Sequence, residues 1–170
     1  MDQFNQFCVT TRALPRPGTD QYFLLMAYLV SIRGTCQRRR VGCVLTDQYN
    51  KVIATGYNGV AAGLPHCLDH ACPGAHLPSG TGLDKCEALH AEENALIQCT
   101  RPQDIYTVYC TASPCNTCVR KLKNTSAQRI VFSELYPHPE SEAIWCGYGQ
   151  HNGRQLELTG RKWIHLPIIS

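Results

Sequence analysis

The sequence predicts a single α/β domain in which β-strands alternate with helices. Two observations favour this class. β-prone runs and helical patterns alternate along most of the chain, and the polar residues with metal-binding chemistry lie where helices follow strands or loops. The length of 170 residues is enough to bury one hydrophobic core. There is no internal repeat and no second domain, so residues 20–170 are predicted to form one domain after an extension at 1–19.

The composition is typical of a globular protein, with 44% hydrophobic and 17% charged residues. A net charge of +3 is too small to indicate nucleic-acid binding by itself. Residues 1–18 lack the apolar core of a signal peptide, and no apolar run reaches the length of a membrane span. We therefore expect a cytoplasmic protein, or one of the host cytoplasm if its source is viral. Its eleven cysteines are then better explained by metal ligation than by disulfides.

The first part of the domain predicts one helix and a hairpin. Asp20 can cap a helix whose apolar residues recur at helical spacing until Gly34. Residues 41–46 and 52–57 are β-prone runs joined by a polar link of hairpin length, and they should pair antiparallel.

The second part predicts alternating helices and strands. The patterns favour a helix over 87–99, a strand over 104–110, a helix opening at Pro114 and a strand over 129–132. They further predict a short helix over 140–145 and short strands over 155–158 and 163–166.

One motif spans two of these helix starts. It consists of His90, Ala91 and Glu92, then 21 residues, then Pro114, Cys115 and Cys118. Two thiolates and an imidazole give zinc three protein ligands and leave its fourth tetrahedral position for water, as in catalytic sites. This arrangement resembles the signature of the zinc-dependent nucleobase deaminases.

Glu92 is the residue that distinguishes a catalytic zinc site from a structural one in this motif. Zinc lowers the pKa of bound water from about 15.7 to about 7, so that hydroxide is available to attack an electrophilic ring carbon. Two residues after His90, Glu92 can face a substrate without ligating zinc, and can carry protons to the ring nitrogen and to departing ammonia. In the alternative, Cys115 and Cys118 belong to a structural zinc knuckle and Glu92 is a solvated helix charge.

Residues 58–86 are rich in Gly, Pro, His and Cys, and a segment of that length needs something to hold it. Outside the first motif, four cysteines could form a closed, structural zinc site: Cys36, Cys67, Cys72 and Cys86. His66, His70 or His76 could replace one of them. A reduced segment without metal is the remaining alternative.

Four groups of residues follow one another in a family-specific order. They are Cys36, Arg38, Arg39, Val41 and Gly42; Gly56, Tyr57, Asn58, Gly59, Gly63, Leu64, Pro65, His66 and Cys67; His90, Ala91, Glu92, Asn94 and Ala95; and Ser113, Pro114, Cys115 and Cys118. Over residues 21–136 the chain therefore resembles the deoxycytidylate (dCMP) deaminases of the cytidine deaminase superfamily, of phage or bacterial type.

This resemblance implies a three-layer α/β/α fold with a five-stranded mixed sheet. It implies deamination of dCMP to dUMP and ammonia in the supply of dTTP precursors, by a homohexamer. It also implies dCTP and dTTP as allosteric effectors, with Mg²⁺. Among the residues, it implies contacts of Asn58 with the deoxyribose, of the Ala91 backbone with the base, of Ser113 with the leaving amino group and of Tyr136 with the pyrimidine.

Three consecutive arginines follow Cys36 and could bring a guanidinium fork to a 5′-phosphate. Of these, Arg38 and Arg40 are the predicted phosphate ligands, with a solvated basic face as the alternative. The nearest rival function is the same chemistry on dCTP as well as dCMP. A polynucleotide deaminase would need a groove for flanking nucleotides, and no basic stretch with interleaved aromatic residues is present to line one. A non-catalytic zinc module would have no need of Glu92.

Overall fold

A mixed β-sheet with helices on both faces forms the core, which confirms the predicted class. This computed structural model describes residues 2–78, 81–82 and 85–168. The helices are α1 (Gln3–Ala13), α2 (Thr19–Ser31), α3 (Ala91–Gln98), α4 (Asn116–Lys123) and α5 (Glu140–Cys146). The strands are β1 (Gly42–Thr46), β2 (Val52–Tyr57), β3 (Gly59–Val60), β4 (Ala88–Leu89), β5 (Thr107–Ala112), β6 (Arg129–Glu134), β7 (Gln150–His151), β8 (Arg154–Gln155) and β9 (Lys162–His165).

The central sheet has five strands in the order β2, β1, β5, β6, β9. The predicted hairpin is confirmed, since β1 pairs antiparallel with β2, and β1 also pairs antiparallel with β5. The pairs β5–β6 and β6–β9 are parallel. The carboxyl ends of β5 and β6 therefore lie side by side, and the segments that follow them meet at one edge of the sheet.

Alternate residues of the central strands enter two separate apolar layers. Val44 and Tyr109 pack with α2 on one face. Leu45, Val108 and Phe132 pack with α3, α4 and α5 on the other face. This alternation is the period of two expected for strands that are covered on both sides. The result is the three-layer arrangement expected for this sequence.

Two glycines allow helices to lie very close to the sheet. A Cβ on Gly42 would collide with the carbonyl oxygen of Ala27 in α2. A Cβ on Gly56 in β2 would collide with the backbone of Ala91 and Ala95 in α3. Because backbone atoms cannot rotate away as side chains do, these contacts fix how far each helix stands from the sheet.

The helix that carries His90 and Glu92 begins at Ala91, whereas the sequence pattern predicts a start at residue 87. Ala88–Leu89 instead pair antiparallel with Gly59–Val60, so that His90 becomes the N-cap of α3. The prediction of a helix over 87–99 is thus wrong at its start, because pairing with a distant strand overrides the local pattern. Similarly, α4 begins at Asn116 rather than at Pro114.

The remaining elements depart from the sequence pattern mainly at the ends of the chain. Within the extension expected at 1–19, Gln3–Ala13 form a helix whose N-cap, Asp2, accepts a hydrogen bond from the Asn5 N–H at 2.8 Å. The strand expected over 155–158 is only Arg154–Gln155, which pairs with Gln150–His151. Among the described residues, no helix has the length and apolar character needed to cross a membrane.

We expect Gly56→Ala to lower the free energy of unfolding by about 1–3 kcal/mol or more, because the added methyl pushes α3 away from β2. Urea denaturation measures the change. Thr55→Ala is the control, since Thr55 lies beside Gly56 with its side chain on the opposite face of the strand; it should cost less than about 1 kcal/mol. Equal losses in the two variants would show that the close approach at Gly56 is not what holds α3.

Candidate active site

Three candidate metal ligands meet where two helices begin. His90 is the N-cap of α3, Cys115 is the N-cap of α4, and Cys118 lies in the first turn of α4. The Nδ1 atom of His90 is 3.4 Å from the Sγ atom of Cys115 and 3.4 Å from that of Cys118. In the part of the chain that the structure describes, these three form the only group of His, Cys, Asp or Glu ligand atoms that all lie within 4.8 Å of one another.

Hydrogen bonds on both sides of His90 hold it in this position. Its backbone N–H donates to Oε2 of Glu93 at 2.8 Å, and its carbonyl accepts from the backbone N–H of Asn94 at 3.0 Å. Glu93 also forms an ion pair with Lys121 of α4, and the Asn94 side chain donates to the Tyr57 carbonyl at 2.7 Å. Glu93 thus joins the two helix starts, and Asn94 fixes α3 to the end of β2.

The distances among the three ligands fit a tetrahedral zinc ion. Zn–S bonds of about 2.3 Å and a Zn–N bond of about 2.0–2.1 Å place nitrogen and sulfur about 3.5 Å apart. A hydrogen bond from the Cys118 thiol lowers the pKa of the Cys115 thiol to about 3. The hydrogen bond between His90 and Cys115 raises the pKa of the His90 imidazole to about 9. A bound cation would take the place of these protons, which is how thiolate and imidazole ligands couple metal binding to proton release.

Glu92 is buried next to the ligand group. Only 4% of its surface is exposed, and this burial raises the pKa of its carboxyl to about 7, although the nearby His90 opposes the shift. A carboxyl group with such a pKa can accept and donate protons near neutral pH. Glu92 lines the same cavity as His90 and Cys115, so its proton-transfer chemistry is available to anything bound there.

The empty space of the cavity and its solvent-open entrance together is about 610 Å³. It is lined by Cys36, Arg38, Arg39, Val41, Asn58, Cys86, Ala88, His90, Ala91, Glu92, Ala112, Ser113, Cys115 and Tyr136. It therefore brings together all the predicted substrate contacts except Arg40.

Two of the expected substrate residues are themselves fixed by the backbone around them. Asn58 accepts from the Val41 N–H at 2.7 Å and donates to the Arg39 carbonyl at 2.7 Å, which holds this arginine-containing segment against the cavity. The hydroxyl of Ser113 accepts from the Tyr136 N–H at 2.7 Å. Tyr136 also lines the cavity, and its expected contact with the pyrimidine stays a prediction.

The three arginines lie in different surroundings. Arg38 donates to the carbonyl oxygens of Gly74 and Pro78 at 3.1 and 3.2 Å, while Arg39 forms an ion pair with Glu134. The expected phosphate role of Arg40 is not supported, because Arg40 is exposed and does not line the cavity. Arg39 does line it. The three arginines are consecutive and lie outside any helix or strand, so the sequence has no periodic pattern that could predict which way each side chain points.

The predicted second group of cysteines is only partly assembled. Cys67 and Cys72 are buried with their sulfur atoms 3.6 Å apart, and Cys86 packs beside them. Burial opposes ionisation of Cys72, but hydrogen bonds from the Glu87 and Gly74 backbone and from Cys67 lower its pKa overall. Cys36 is also buried and lines the main cavity together with Cys86. No three of these cysteines have all their sulfur atoms within 4.8 Å of one another.

The histidines considered for the second site are all on the surface. His66, His70 and His76 are exposed, whereas three of the four cysteines are buried. None of the eleven cysteines is in a disulfide.

Comparison with known proteins finds one matching family. The sequence model described as "Cytidine and deoxycytidylate deaminase zinc-binding region" matches residues 17–134. A deoxycytidylate deaminase of Saccharomyces cerevisiae is 41% identical over 125 residues, which are 72% of this chain and 40% of that protein. This chain thus spans about two fifths of the length of its yeast relative. A deoxycytidylate deaminase of Mycobacterium phage D29 is 37% identical over 70% of this chain and 97% of the phage protein.

A solved structure shows the same fold. The dCMP deaminase of cyanophage S-TIM5, in complex with dCMP and dUMP, superposes with a TM-score of 0.59 at 21% identity. The superposition covers 78% of this chain and 93% of the cyanophage chain. With the family match over most of the chain and the ligand geometry at His90, Cys115 and Cys118, these findings show that the chain belongs to the cytidine and deoxycytidylate deaminase zinc-binding family.

Proposed function

We propose that this protein is a zinc-dependent deaminase that converts dCMP to dUMP and ammonia. The observation that carries the proposal is the burial of Glu92 in one cavity with His90 and Cys115. A structural zinc site has no use for a buried carboxyl group beside its ligands. The names of the yeast and phage relatives support dCMP as the substrate.

The metal and Glu92 divide the chemistry between them. Held by His90, Cys115 and Cys118, zinc would supply a water molecule of lowered pKa as the nucleophile. Glu92 would take up a proton and return it to the ring nitrogen beside the reacting carbon. It would then carry the second proton of the same water, from the hydroxyl now on the ring carbon, to the amino group, which leaves as ammonia when the carbon–nitrogen bond breaks. Burial of Glu92 keeps these transfers away from bulk water.

The other lining residues orient the substrate in this proposal. The Ala91 backbone and Ser113 bind the edge of the base, and the Tyr136 ring packs near the pyrimidine. Asn58, which already holds the segment around Arg39, keeps a second amide hydrogen with which to meet the deoxyribose. These contacts would place the reacting carbon between the zinc ligands and Glu92.

A second, structural zinc ion bound by Cys36, Cys67, Cys72 and Cys86 is also part of the proposal. The contact between Cys67 and Cys72, the burial of both and the lowered pKa of Cys72 support it. Exposure of His66, His70 and His76 favours the all-cysteine set. A metal would draw the sulfur atoms closer together and hold the 58–86 segment to the cavity wall.

Assembly into a homo-oligomer, and a hexamer in particular, is proposed from the resemblance. One observation supports a contact between subunits: Tyr22, Leu25 and Leu29 of α2 and its C-cap, Ile32, are exposed apolar residues at helical spacing. Regulation by dCTP and dTTP with Mg²⁺ stays a prediction, as does turnover of dCTP.

We expect Glu92→Gln to retain the fold and the zinc content while losing about 10²- to 10⁴-fold in kcat for dCMP, because the amide cannot carry protons. Loss of cytosine absorbance measures kcat, and elemental analysis measures zinc. Glu87→Gln is the matched control, since Glu87 is exposed and should leave both quantities unchanged. Full activity of the Glu92 variant would remove this residue from the mechanism.

The proposed second zinc predicts two zinc ions per chain. Cys67→Ser should reduce the content to about one, because loss of one ligand opens the site and weakens metal binding. Cys8→Ser should keep two, since Cys8 is exposed and distant in sequence from both groups. An unchanged zinc content in the Cys67 variant, measured by elemental analysis, would contradict the assignment.

A further inference from the structure

Arg38 and Arg39 are the two arginines that line the catalytic cavity, and they are used differently. Arg38 donates through Nη1 to the Gly74 carbonyl and through Nη2 to the Pro78 carbonyl, at 3.1 and 3.2 Å. Both ends of its fork are thus occupied by the cysteine-rich segment. A guanidinium tied at both terminal nitrogens supports that segment and is less free than that of Arg39 to turn towards an anion, although three of its five N–H donors remain.

Arg39 also lines the cavity, and fewer of its hydrogen-bond donors are used. Its guanidinium carbon lies 5.7 Å from the centre of the Tyr136 ring, within the range of a cation–π contact. Within the described parts of the chain, Glu134 is the one hydrogen-bond partner of its side chain, through Nη2. Since a guanidinium has five N–H donors, most of them are available to a ligand. With 27% of its side chain exposed, Arg39 can be reached from solvent.

Glu134 is itself held in place. It is the last residue of β6, and its Oε1 accepts a hydrogen bond from the Tyr28 hydroxyl at 2.9 Å. The carboxylate is therefore fixed between Tyr28 of α2 and the Arg39 guanidinium. Restricting the guanidinium before a ligand arrives lowers the entropic cost of binding an anion.

The surroundings of Arg39 include residues expected to contact the base and the sugar. Arg39 lines the same cavity as Glu92, His90 and Cys115, and its guanidinium lies over the ring of Tyr136, the expected neighbour of the pyrimidine. Asn58, the expected sugar contact, donates directly to the Arg39 carbonyl. A base at the zinc ligands and a sugar at Asn58 would bring the 5′-phosphate towards Arg39.

We propose that Arg39 binds the 5′-phosphate of the substrate and that Glu134 positions its guanidinium for this contact. The inference rests on the proposed function, because it assumes that a pyrimidine nucleotide enters this cavity. It assigns recognition of the monophosphate to one arginine, with Arg38 in a supporting role and Arg40 outside the site.

The test compares ligands with and without the phosphate in zinc-loaded protein. Arg39→Met should raise KM for dCMP and Kd for dUMP by about 10- to 100-fold, the contribution of charge-assisted hydrogen bonds. Kinetic constants for deoxycytidine and Kd for deoxyuridine should stay within about twofold, since neither ligand has a phosphate. Calorimetry measures dUMP and deoxyuridine binding independently of turnover.

Three further variants separate recognition from folding. Arg40→Met is the matched control and should change none of these constants, because Arg40 is exposed and outside the cavity. Arg39→Lys should recover part of the dCMP affinity, because it keeps the charge but not the fork. Glu134→Gln should raise KM for dCMP by a smaller factor without changing kcat for deoxycytidine, as expected for a positioning residue.

The outcomes distinguish this inference from the proposed function. If the wild-type protein deaminates dCMP but Arg39→Met affects dCMP no more than Arg40→Met does, the phosphate assignment is overturned and the function stands. If the wild-type protein does not deaminate dCMP, the function fails and dUMP binding decides the role of Arg39. A selective loss of dUMP affinity in Arg39→Met would then support the assignment, and equal dUMP affinity, or no dUMP binding by the wild type, would overturn it.

Discussion

The whole site depends on bringing His90 within 3.4 Å of two sulfur atoms that lie 25 and 28 residues further along the chain. The sheet makes this possible because β5 leads directly into α4, which begins at the edge of the sheet where α3 also begins. Backbone contact at Gly56 sets the distance of α3 from the sheet, and the ion pair between Glu93 and Lys121 joins the two helix starts. The burial of Glu92 follows, since it lies in the first turn of a helix whose position is fixed on both sides.

The parts of this arrangement that metal chemistry restricts could be predicted from sequence, and the parts that long-range pairing decides could not. His90, Cys115 and Cys118 were recognisable because zinc ligation admits few residue types at few spacings. Glu92 was singled out because the proposed proton transfer needs a carboxyl group beside these ligands. The start of α3 was misplaced because Ala88–Leu89 become a strand only through pairing with Gly59–Val60. The directions of Arg38 and Arg39 depend on partners at Gly74, Pro78 and Glu134, which no local pattern reveals.

The cysteines show how the structure sorts residues that composition alone cannot separate. Cys43 and Cys110 face each other across β1 and β5 in the apolar layer, and burial raises the pKa of Cys110 well above its usual value. They behave as small buried hydrophobic residues of the core. Cys115 is almost as buried, yet its neighbours lower its pKa to about 3. Burial is similar for Cys110 and Cys115. The difference between their pKa values comes from the hydrogen bonds that Cys115 receives.

Arg38 and Arg39 are adjacent in the chain but belong to different structures. Arg38 donates to carbonyl oxygens of the cysteine-rich segment, whereas Arg39 lines the cavity with its guanidinium over the Tyr136 ring. One peptide unit therefore connects the cysteine-rich segment directly to the wall of the cavity. Coupling between ordering of the segment and ligand binding at Arg39 has the same free energy in both directions. Order imposed on the segment would narrow the range of positions open to Arg39, and a ligand that holds Arg39 would steady the segment in return.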